Sequence, residues 1–372
     1  MKHLLPQKAI ITIGIFALLS FGVVNAQVCR VSVNGTTSAS GATWQQTKNL
    51  QSALNNPAQC PEIWVKSGTY YPTASGNRNT SFRVQGGVKL FGGFYGTEIS
   101  RTQRDYINNK AILSGNIGSS ITETDNSHHV IYLHSDSTAT QIGNATEIDG
   151  FIIEDGYSEN TDGGGLVCSS LGMGICSPYL KNLVFRNNFA RNGGAVFNLG
   201  KNDGHSRPIF ENIRFINNNA DSTDWQQGNG GAVYNLADGE SSLVFPVFDR
   251  VEFSNNQASE NGGAIANRDF DGEVKIAVNK GTFANNIAKN GGAVGNKAYD
   301  GSLSFRNSTF YNNTAEQGGA IYNEVFRTPA TLNNVTLSNN SATVSGGALH
   351  YIYSDFTVNN TILWDNTSPL GS

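Results

Sequence analysis

Charged residues are scarce in this sequence, and the basic ones are not clustered. Asp, Glu, Lys and Arg make up 15% of the 372 residues, and the formal net charge is −4. Recognition of nucleic acid or of an anionic membrane needs a concentrated positive surface. We therefore expect neither nucleic acid nor a membrane surface as a partner.

Long apolar runs are also scarce, since only one occurs, at the N-terminus. Lys2 and Lys8 precede the mostly apolar residues 9–24, and the small residues at 24–26 form a cleavage site. Residues 1–26 are predicted to be a signal peptide; the alternative, a membrane anchor, would need a longer apolar run. No Cys follows the cleavage site, which disfavours a lipoprotein, and no second span is predicted. We expect a monomeric bacterial protein that is secreted or held on the outer cell surface.

The chain has four cysteines, Cys29, Cys60, Cys168 and Cys176. Export permits disulfides, and proximity in sequence favours pairing Cys29 with Cys60 and Cys168 with Cys176. A metal site is the alternative, but no His or further Cys lies nearby at ligand spacing. We expect two structural disulfides and predict no metal site.

Histidine is too scattered to form a familiar hydrolytic centre. None of the six histidines lies in a nucleophile elbow or in a metal-binding pair. Neither a serine hydrolase nor a zinc hydrolase is therefore predicted. The six are His3, His128, His129, His134, His205 and His350.

Glycine and asparagine are abundant instead, and they recur in a six-residue phrase. The phrase reads Gly-Gly-Ala, then Val, Ile or Leu, then a variable residue and Asn, and its last copy ends in Tyr. Paired glycines permit a sharp corner, either through positive φ or through close backbone approach. The copies occupy residues 193–198, 230–235, 262–267, 291–296, 318–323 and 346–351.

A second phrase, Phe-x-Asn-Asn, precedes the Gly-Gly-Ala phrases. Its aromatic position advances by 30, 38, 30, 27, 27 and 26 residues, with Leu337 and Leu363 in the last two copies. A period in this range indicates stacked units, none of which buries its apolar side alone. The aromatic residues are Phe185, Phe215, Phe253, Phe283 and Phe310.

Each period contains three short runs with β-strand character. In residues 302–328 these runs are 302–305, 309–313 and 318–322, with a turn at 316–317. Each run can pair with its equivalent in the next coil, which satisfies the backbone hydrogen bonds. The sequence therefore predicts an all-β fold, a right-handed single-stranded parallel β-helix with three faces.

Strand alternation assigns the side chains of each coil to the inside or the outside. The Phe positions and the fourth residue of the Gly-Gly-Ala phrase are predicted to face inward. The fifth residue varies, and it is predicted to face outward. The second Asn of each Phe-x-Asn-Asn phrase is expected to stack at a turn; these residues are Asn188, Asn218, Asn256, Asn286, Asn313 and Asn340.

The chain divides into a signal peptide, residues 1–26, an N-terminal cap with the first coils, residues 27–150, and the regular coils, residues 151–372. Within the cap, residues 43–55 are predicted to form an amphipathic helix with Trp44, Leu50 and Leu54 on one side. Such a helix would cover the open end of the solenoid. Residues 156–178 are expected to be a long loop pinned by the second cysteine pair.

The two phrases resemble the repeats of chlamydial polymorphic outer membrane proteins, over residues 183–366. They are also similar to the exported right-handed β-helix proteins of Bacteroidetes-type bacteria, which have a pectate-lyase-like solenoid. The resemblance implies this fold, together with surface display and adhesion. It is weak for activity, because the architecture serves adhesins, lyases and glycosidases alike. Proteins of this type usually continue into a C-terminal sorting module, so we expect either a fragment or a freely secreted chain.

The outward fifth position suggests a glycan site. It is occupied by Phe197, Tyr234, Ala266, Gly295, Tyr322 and His350. The two small residues would leave a gap on the order of 10–15 Å between ring-bearing coils. Tyr234 and Tyr322, flanked by Phe197 and His350, would stack on sugar faces there.

The loops beside this gap carry the candidate charged residues. They could hold sugar hydroxyls or Ca²⁺, or act in a polysaccharide lyase or glycosidase, which need carboxylates and a basic residue in one groove. Solvated turn charges and ordinary surface aromatics are the simpler interpretation. The candidates are Arg268, Asp269, Asp271, Lys297 and Asp300.

Three functions remain open. The sequence favours a non-enzymatic surface or extracellular protein that adheres to a host or neighbouring cell, through a glycan or a protein. The second is a secreted polysaccharide lyase or glycoside hydrolase. The third is a structural spacer, which would bind no ligand.

Overall fold

The computed structural model describes residues 28–224, 227–353 and 355–370. Over these residues the chain winds as a right-handed parallel β-helix of about 11 turns. The predicted fold is therefore confirmed, while the predicted signal peptide lies outside the described residues. No described helix is long or apolar enough to cross a membrane.

One face of the helix, the long face, is a sheet of 19 described strands in which every pairing of successive coils is parallel. It carries the Phe-x-Asn-Asn phrases. Its strands are Val28–Thr36, Glu62–Lys66, Gly68–Tyr70, Lys89–Phe94, Ala111–Ser114, Glu147–Asp149, Phe151–Glu154, Ile175–Cys176, Tyr179–Lys181, Val184–Arg186, His205–Ser206, Ile209–Ile216, Leu243–Val244, Val247–Ser254, Glu273–Ala284, Gly301–Tyr311, Ala330–Ser338, Phe356–Asn359 and Ile362–Trp364.

A second face, the Gly-Gly-Ala face, is a sheet of nine described strands that contains the Gly-Gly-Ala phrases. The strands are Phe82–Arg83, Ile131–Ser135, Leu166–Leu171, Val196–Lys201, Val233–Asp238, Ile265–Phe270, Val294–Ala298, Ile321–Val325 and Leu349–Ile352. A third, short face lies between the other two. Its described strands are Tyr157–Ser158, Phe189–Ala190, Asn219–Ala220 and Gln257–Ala258 in one sheet, and Thr314–Gln317 and Ser341–Ser345 in another.

Residues with positive φ set the corners of each coil. In one coil, Lys280 (φ 57°) bends the long face, Asn285 (φ 55°) ends it, and Gly291 (φ 65°) starts the Gly-Gly-Ala strand. Asn visits this left-handed conformation more readily than other non-glycine residues. The first Asn of each Phe-x-Asn-Asn phrase is therefore the corner residue.

The unit predicted at residues 302–328 differs from the observed coil in one respect. The two runs at 302–305 and 309–313 form a single strand, Gly301–Tyr311, which bends at Asn307 (φ 52°) without ending. The predicted turn at 316–317 belongs to the strand Thr314–Gln317. A left-handed Asn thus bends a strand here, whereas sequence patterns suggested a loop.

The interior is built from stacks of identical side chains. The five Phe residues of the repeat phrases are fully buried, and successive rings stack with centroids 4.4–5.1 Å apart. The fourth residue of each complete Gly-Gly-Ala phrase is also buried in this core. Both inward assignments from the sequence are confirmed.

The second Asn of each Phe-x-Asn-Asn phrase belongs to a buried ladder. Each Nδ2 donates to the Oδ1 of the next Asn at 2.9–3.0 Å, from Asn188 through to Asn366. A parallel ladder joins Asn198, at the end of one Gly-Gly-Ala phrase, to Asn323 at 2.8–3.1 Å. Within each ladder the amides satisfy polar groups that would otherwise be costly to bury. At the ends of the second ladder, Asn198 Oδ1 and Asn323 Nδ2 have no partner among the described residues.

The N-terminal end is capped by a shorter helix than predicted. The helix spans Leu50–Leu54, with Leu50, Ala53 and Leu54 buried against the first coil. Trp44 is not part of it; its ring packs on Phe94 at a centroid distance of 5.6 Å. A short 3₁₀ helix, Arg101–Gln103, follows later in this region.

Both predicted disulfides are present, Cys29–Cys60 and Cys168–Cys176. The predicted loop at 156–178 is wrong, because it contains the strand Leu166–Leu171 and a further Gly-Gly corner. In this coil Cys168 pairs in register with Asn198, so it takes the place of the ladder Asn. The disulfide therefore crosses the coil interior.

Candidate functional site

The fifth position of the Gly-Gly-Ala phrase lies outside the main core, as predicted, but it is largely buried, so the exposure that the predicted glycan gap requires is absent. Phe197 and Tyr322 are less than a tenth exposed and Tyr234 is 4% exposed, while His350 is half-buried. The rings stack in pairs, Phe197 on Tyr234 at 5.6 Å and Tyr322 on His350 at 5.3 Å. Burial raises the pKa of the Tyr234 and Tyr322 hydroxyls above the ordinary value.

The burial follows from the shape of the Gly-Gly corner, which curls over the neighbouring strand. A Cβ built on Gly193 would lie 3.1 Å from the Cβ of Tyr234 in the next coil. A Cβ on Gly295 would meet the backbone N of Gly262 at 2.7 Å. The space above the small residues is thus filled by backbone, and the predicted gap for a glycan is closed in this structure.

Among the predicted charged residues, Asp269 supports the neighbouring loop. Its two carboxylate oxygens accept the backbone N–H groups of Tyr299 and Asp300, each at 2.7 Å. Burial raises the pKa of Asp269, although these hydrogen bonds oppose the shift. Asp269 therefore fixes the turn that presents Tyr299.

The other charged candidates lie near Asp269 and are mostly paired. Lys297 Nζ lies 3.2 Å from a carboxylate oxygen of Glu324, and Asp300 lies 3.7 Å from the guanidinium of Arg327. Asp271 is exposed and has positive φ. Among the described residues, no group of three or more His, Cys, Asp or Glu side chains is arranged to hold a metal ion.

Four exposed aromatic side chains lie beside these charges, and we call them the aromatic ridge: Phe270, Tyr299, Phe326 and Tyr353. They come from four successive coils, and each is 48–66% exposed. Phe326 stacks on Tyr353 with centroids 4.1 Å apart, and Tyr299 lies 5.4 Å from Phe326. Three of the four rings therefore form a continuous row from coil to coil.

Two guanidinium groups cover ring faces of the ridge. Arg268 lies 4.6 Å from the centre of Phe270, and Arg327 lies 4.9 Å from the centre of Tyr299. Stacked rings and guanidinium groups restrict each other's side-chain rotation, so this surface is ordered before a partner binds. Aromatic and Arg side chains are the types most enriched in the centres of binding interfaces.

Sequence reasoning missed the ridge, although a signal was present. Phe270, Tyr299 and Phe326 each lie eight residues after the first Gly of their phrase, and Tyr353 lies seven after it. An aromatic residue at a fixed offset in a repeat lies on one side of the solenoid. The loops after the Gly-Gly-Ala phrases differ in length, and this difference hides the fixed offset.

The Gly-Gly-Ala and Phe-x-Asn-Asn phrases agree with a known repeat family. The family model of the Chlamydia polymorphic membrane protein repeat matches residues 212–236, 250–268, 307–324 and 334–351. The chain is a parallel β-helix protein whose repeats are similar to those of the Chlamydia polymorphic membrane proteins, here called PMP-like repeats. No curated protein and no solved structure matches it. The family name and the architecture fit an extracellular or surface protein.

The matched segments of this PMP-like protein define the scaffold and stop short of the ridge. Three of them end at residues 268, 324 and 351, each two residues before a ridge side chain. The shared repeat pattern thus specifies the corners and the core. The ridge side chains lie at outward positions outside the matched segments.

Proposed function

We propose that this PMP-like protein is an exported surface or extracellular adhesion protein whose contact surface is the aromatic ridge. Export is proposed from the predicted signal peptide, residues 1–26. The surface location suggested by the repeat family supports this proposal. The partner is a glycan or a protein on a neighbouring or host cell.

One observation carries the proposal: four successive coils each place an exposed aromatic ring just after the Gly-Gly-Ala strand. Isolated exposed rings are ordinary, but a continuous exposed apolar patch favours an interaction site. The loop carboxylates and guanidiniums around the ridge supply a polar rim. Such a surface can bind a partner without catalysing a reaction.

Cell adhesion by protein-coated beads tests the proposal. The ridge variant combines Tyr299→Ala, Phe326→Ala and Tyr353→Ala. The matched control combines Tyr71→Ala and Tyr95→Ala, which removes two rings of similar exposure from the N-terminal coils. We expect the ridge variant to lose at least about tenfold in bead retention, because central aromatic residues each contribute about 2 kcal/mol or more. Unchanged retention by the ridge variant, with both variants folded, would refute the proposal.

The partner class is decided by treating the cells. Periodate oxidation of the cells should abolish adhesion if the partner is a glycan, and protease digestion should abolish it if the partner is a protein. Adhesion that survives both treatments would contradict either class. If the protein is only a structural spacer without a ligand, beads coated with the unmodified protein should not be retained.

A further inference from the structure

A second feature is a groove of about 400 Å³ that runs along the outside of the long face. Its floor includes Ile152, Val184 and Ile216, which alternate with inward residues and so point outward. Apolar side chains on the water-facing side of a sheet are stabilised only where something covers them. The floor is therefore ready to receive an apolar group.

The apolar floor is confined to these coils. Along the row that contains Ile152 and Val184, the following coils carry Arg214, Glu252 and Thr282. Arg214 lines the groove, whereas Glu252 and Thr282 lie beyond it. The apolar character is therefore a local property of the groove and not a requirement of the repeat.

The wall of the groove is preformed. It is the segment at residues 104–110, whose Arg104 side chain forms an ion pair with the carboxylate of the buried Asp149. The Tyr106 hydroxyl donates to Asn182 Oδ1 at 3.3 Å. Asp105 accepts the N–H of Ile107 at 3.1 Å within the same segment. A groove with a fixed wall binds its ligand without ordering costs.

Three cations line the groove: Lys110, Arg186 and Arg214. The two arginines are held by Glu154 and Glu252, at 2.6 and 2.8 Å, but neither carboxylate lines the groove. No carboxylate of a described residue lies within ion-pair distance of the Lys110 amine. The groove therefore combines an apolar floor with the positive charge of Lys110.

We propose that this groove binds an amphipathic carboxylate, such as a medium-chain fatty acid, with the chain on the apolar floor and the carboxylate against Lys110. A lysine amine matches a carboxylate in charge and hydrogen bonding. An aliphatic floor fits an alkyl chain better than a sugar, which prefers aromatic rings and hydroxyl partners. This activity is independent of the adhesion proposed above.

Calorimetric titration of the secreted chain with octanoate, acetate and octanol tests the proposal. We expect octanoate to bind at least about tenfold more tightly than either acetate or octanol, because acetate lacks the long alkyl chain and octanol lacks the carboxylate. Octanoate binding should also weaken as salt is added. Equal binding of octanoate and octanol, or no octanoate binding, would overturn the proposal.

Two variants in the same outward row locate the site. Val184→Asp places an anion on the floor and should weaken octanoate binding by tenfold or more. Thr282→Asp makes the same change in that row outside the groove and should leave binding unaltered. Lys110→Gln, at an exposed position, gives a second test that does not disturb the sheet, with an expected loss of about threefold to tenfold. Equal affinities across these variants would refute the assignment.

Discussion

Replacing Asn286 by Ala tests whether the Asn ladder stabilises the coils. Asn286 is fully buried, and its Oδ1 accepts both the backbone N–H and the Nδ2 of Asn256 at 3.0 Å. Its Nδ2 donates to the carbonyl of Phe253 and to Asn313 Oδ1, both at 3.0 Å. The substitution therefore removes four hydrogen bonds at once.

The cost can be estimated from the groups left behind. The N–H of Asn256 and the carbonyl of Phe253 lose these partners in the interior, whereas Asn313 Oδ1 keeps the backbone N–H of residue 286. Each unsatisfied buried group costs about 1–3 kcal/mol, which gives about 2–6 kcal/mol for the two. We expect Asn286→Ala to lower the free energy of unfolding by this amount.

Amide hydrogen exchange at Asn256, measured with urea unfolding, is the suitable assay, because solenoids open locally and their unfolding is not always two-state. Exchange there should accelerate by about 30-fold or more, since 1.4 kcal/mol corresponds to a factor of ten. Asn366→Ala, at the end of the ladder, should cost only about 1 kcal/mol, because the Asn366 side chain is itself half-exposed and water can take its place. Asn285→Gly, at a corner with positive φ, should be nearly neutral. Equal losses for Asn286→Ala and Asn366→Ala would refute the reasoning.

Two further predictions concern the cap and the disulfides. Burial raises the pKa of Glu98, but hydrogen bonds from three backbone N–H groups of its own loop outweigh this effect, and the net pKa is lowered. Glu98→Gln should therefore cost about 1–2 kcal/mol of stability at pH 7. In a pH series of unfolding curves, the difference between the two proteins should disappear as the pH falls below about 4. A difference that persists in acid would contradict the assignment. Replacing Cys29 and Cys60 by Ser should cost about 3.7 kcal/mol and replacing Cys168 and Cys176 about 2.5 kcal/mol, because the loops close over 31 and 8 residues. The reverse order in thermal unfolding would show that strain or packing dominates.

The sequence was sufficient to predict the core because each coil repeats the same constraints. An inward position such as Phe253 has a Phe above and below it, so its period and its apolar character are both visible. The buried Asn positions are visible for the same reason. One coil was concealed because two residues of its phrase change: Cys168 replaces the Asn and Gly165 replaces the Ala.

The outward positions could not be predicted in the same way. Alternation correctly places Tyr234 on the outer side of its strand, but exposure depends on where the Gly-Gly corner of another coil folds. That corner covers the fifth position and leaves the end of the strand open, as at Phe326. The contact surface that we propose therefore lies about three to four residues later in each repeat than the glycan site predicted from the sequence.

The ridge position shows how the solenoid separates its fold from its contacts. In earlier coils the same register position carries Lys201 and Asp238, which form an ion pair at 2.6 Å. In the next coils it carries Phe270 and Tyr299, with no change in the corners or the core. Ion-paired and aromatic residues are thus equally compatible with the scaffold, because neither contributes to the buried ladders. Selection for a partner can therefore act at this position while selection for folding acts on the phrases, which is why the phrases identify the fold and leave the ligand unspecified.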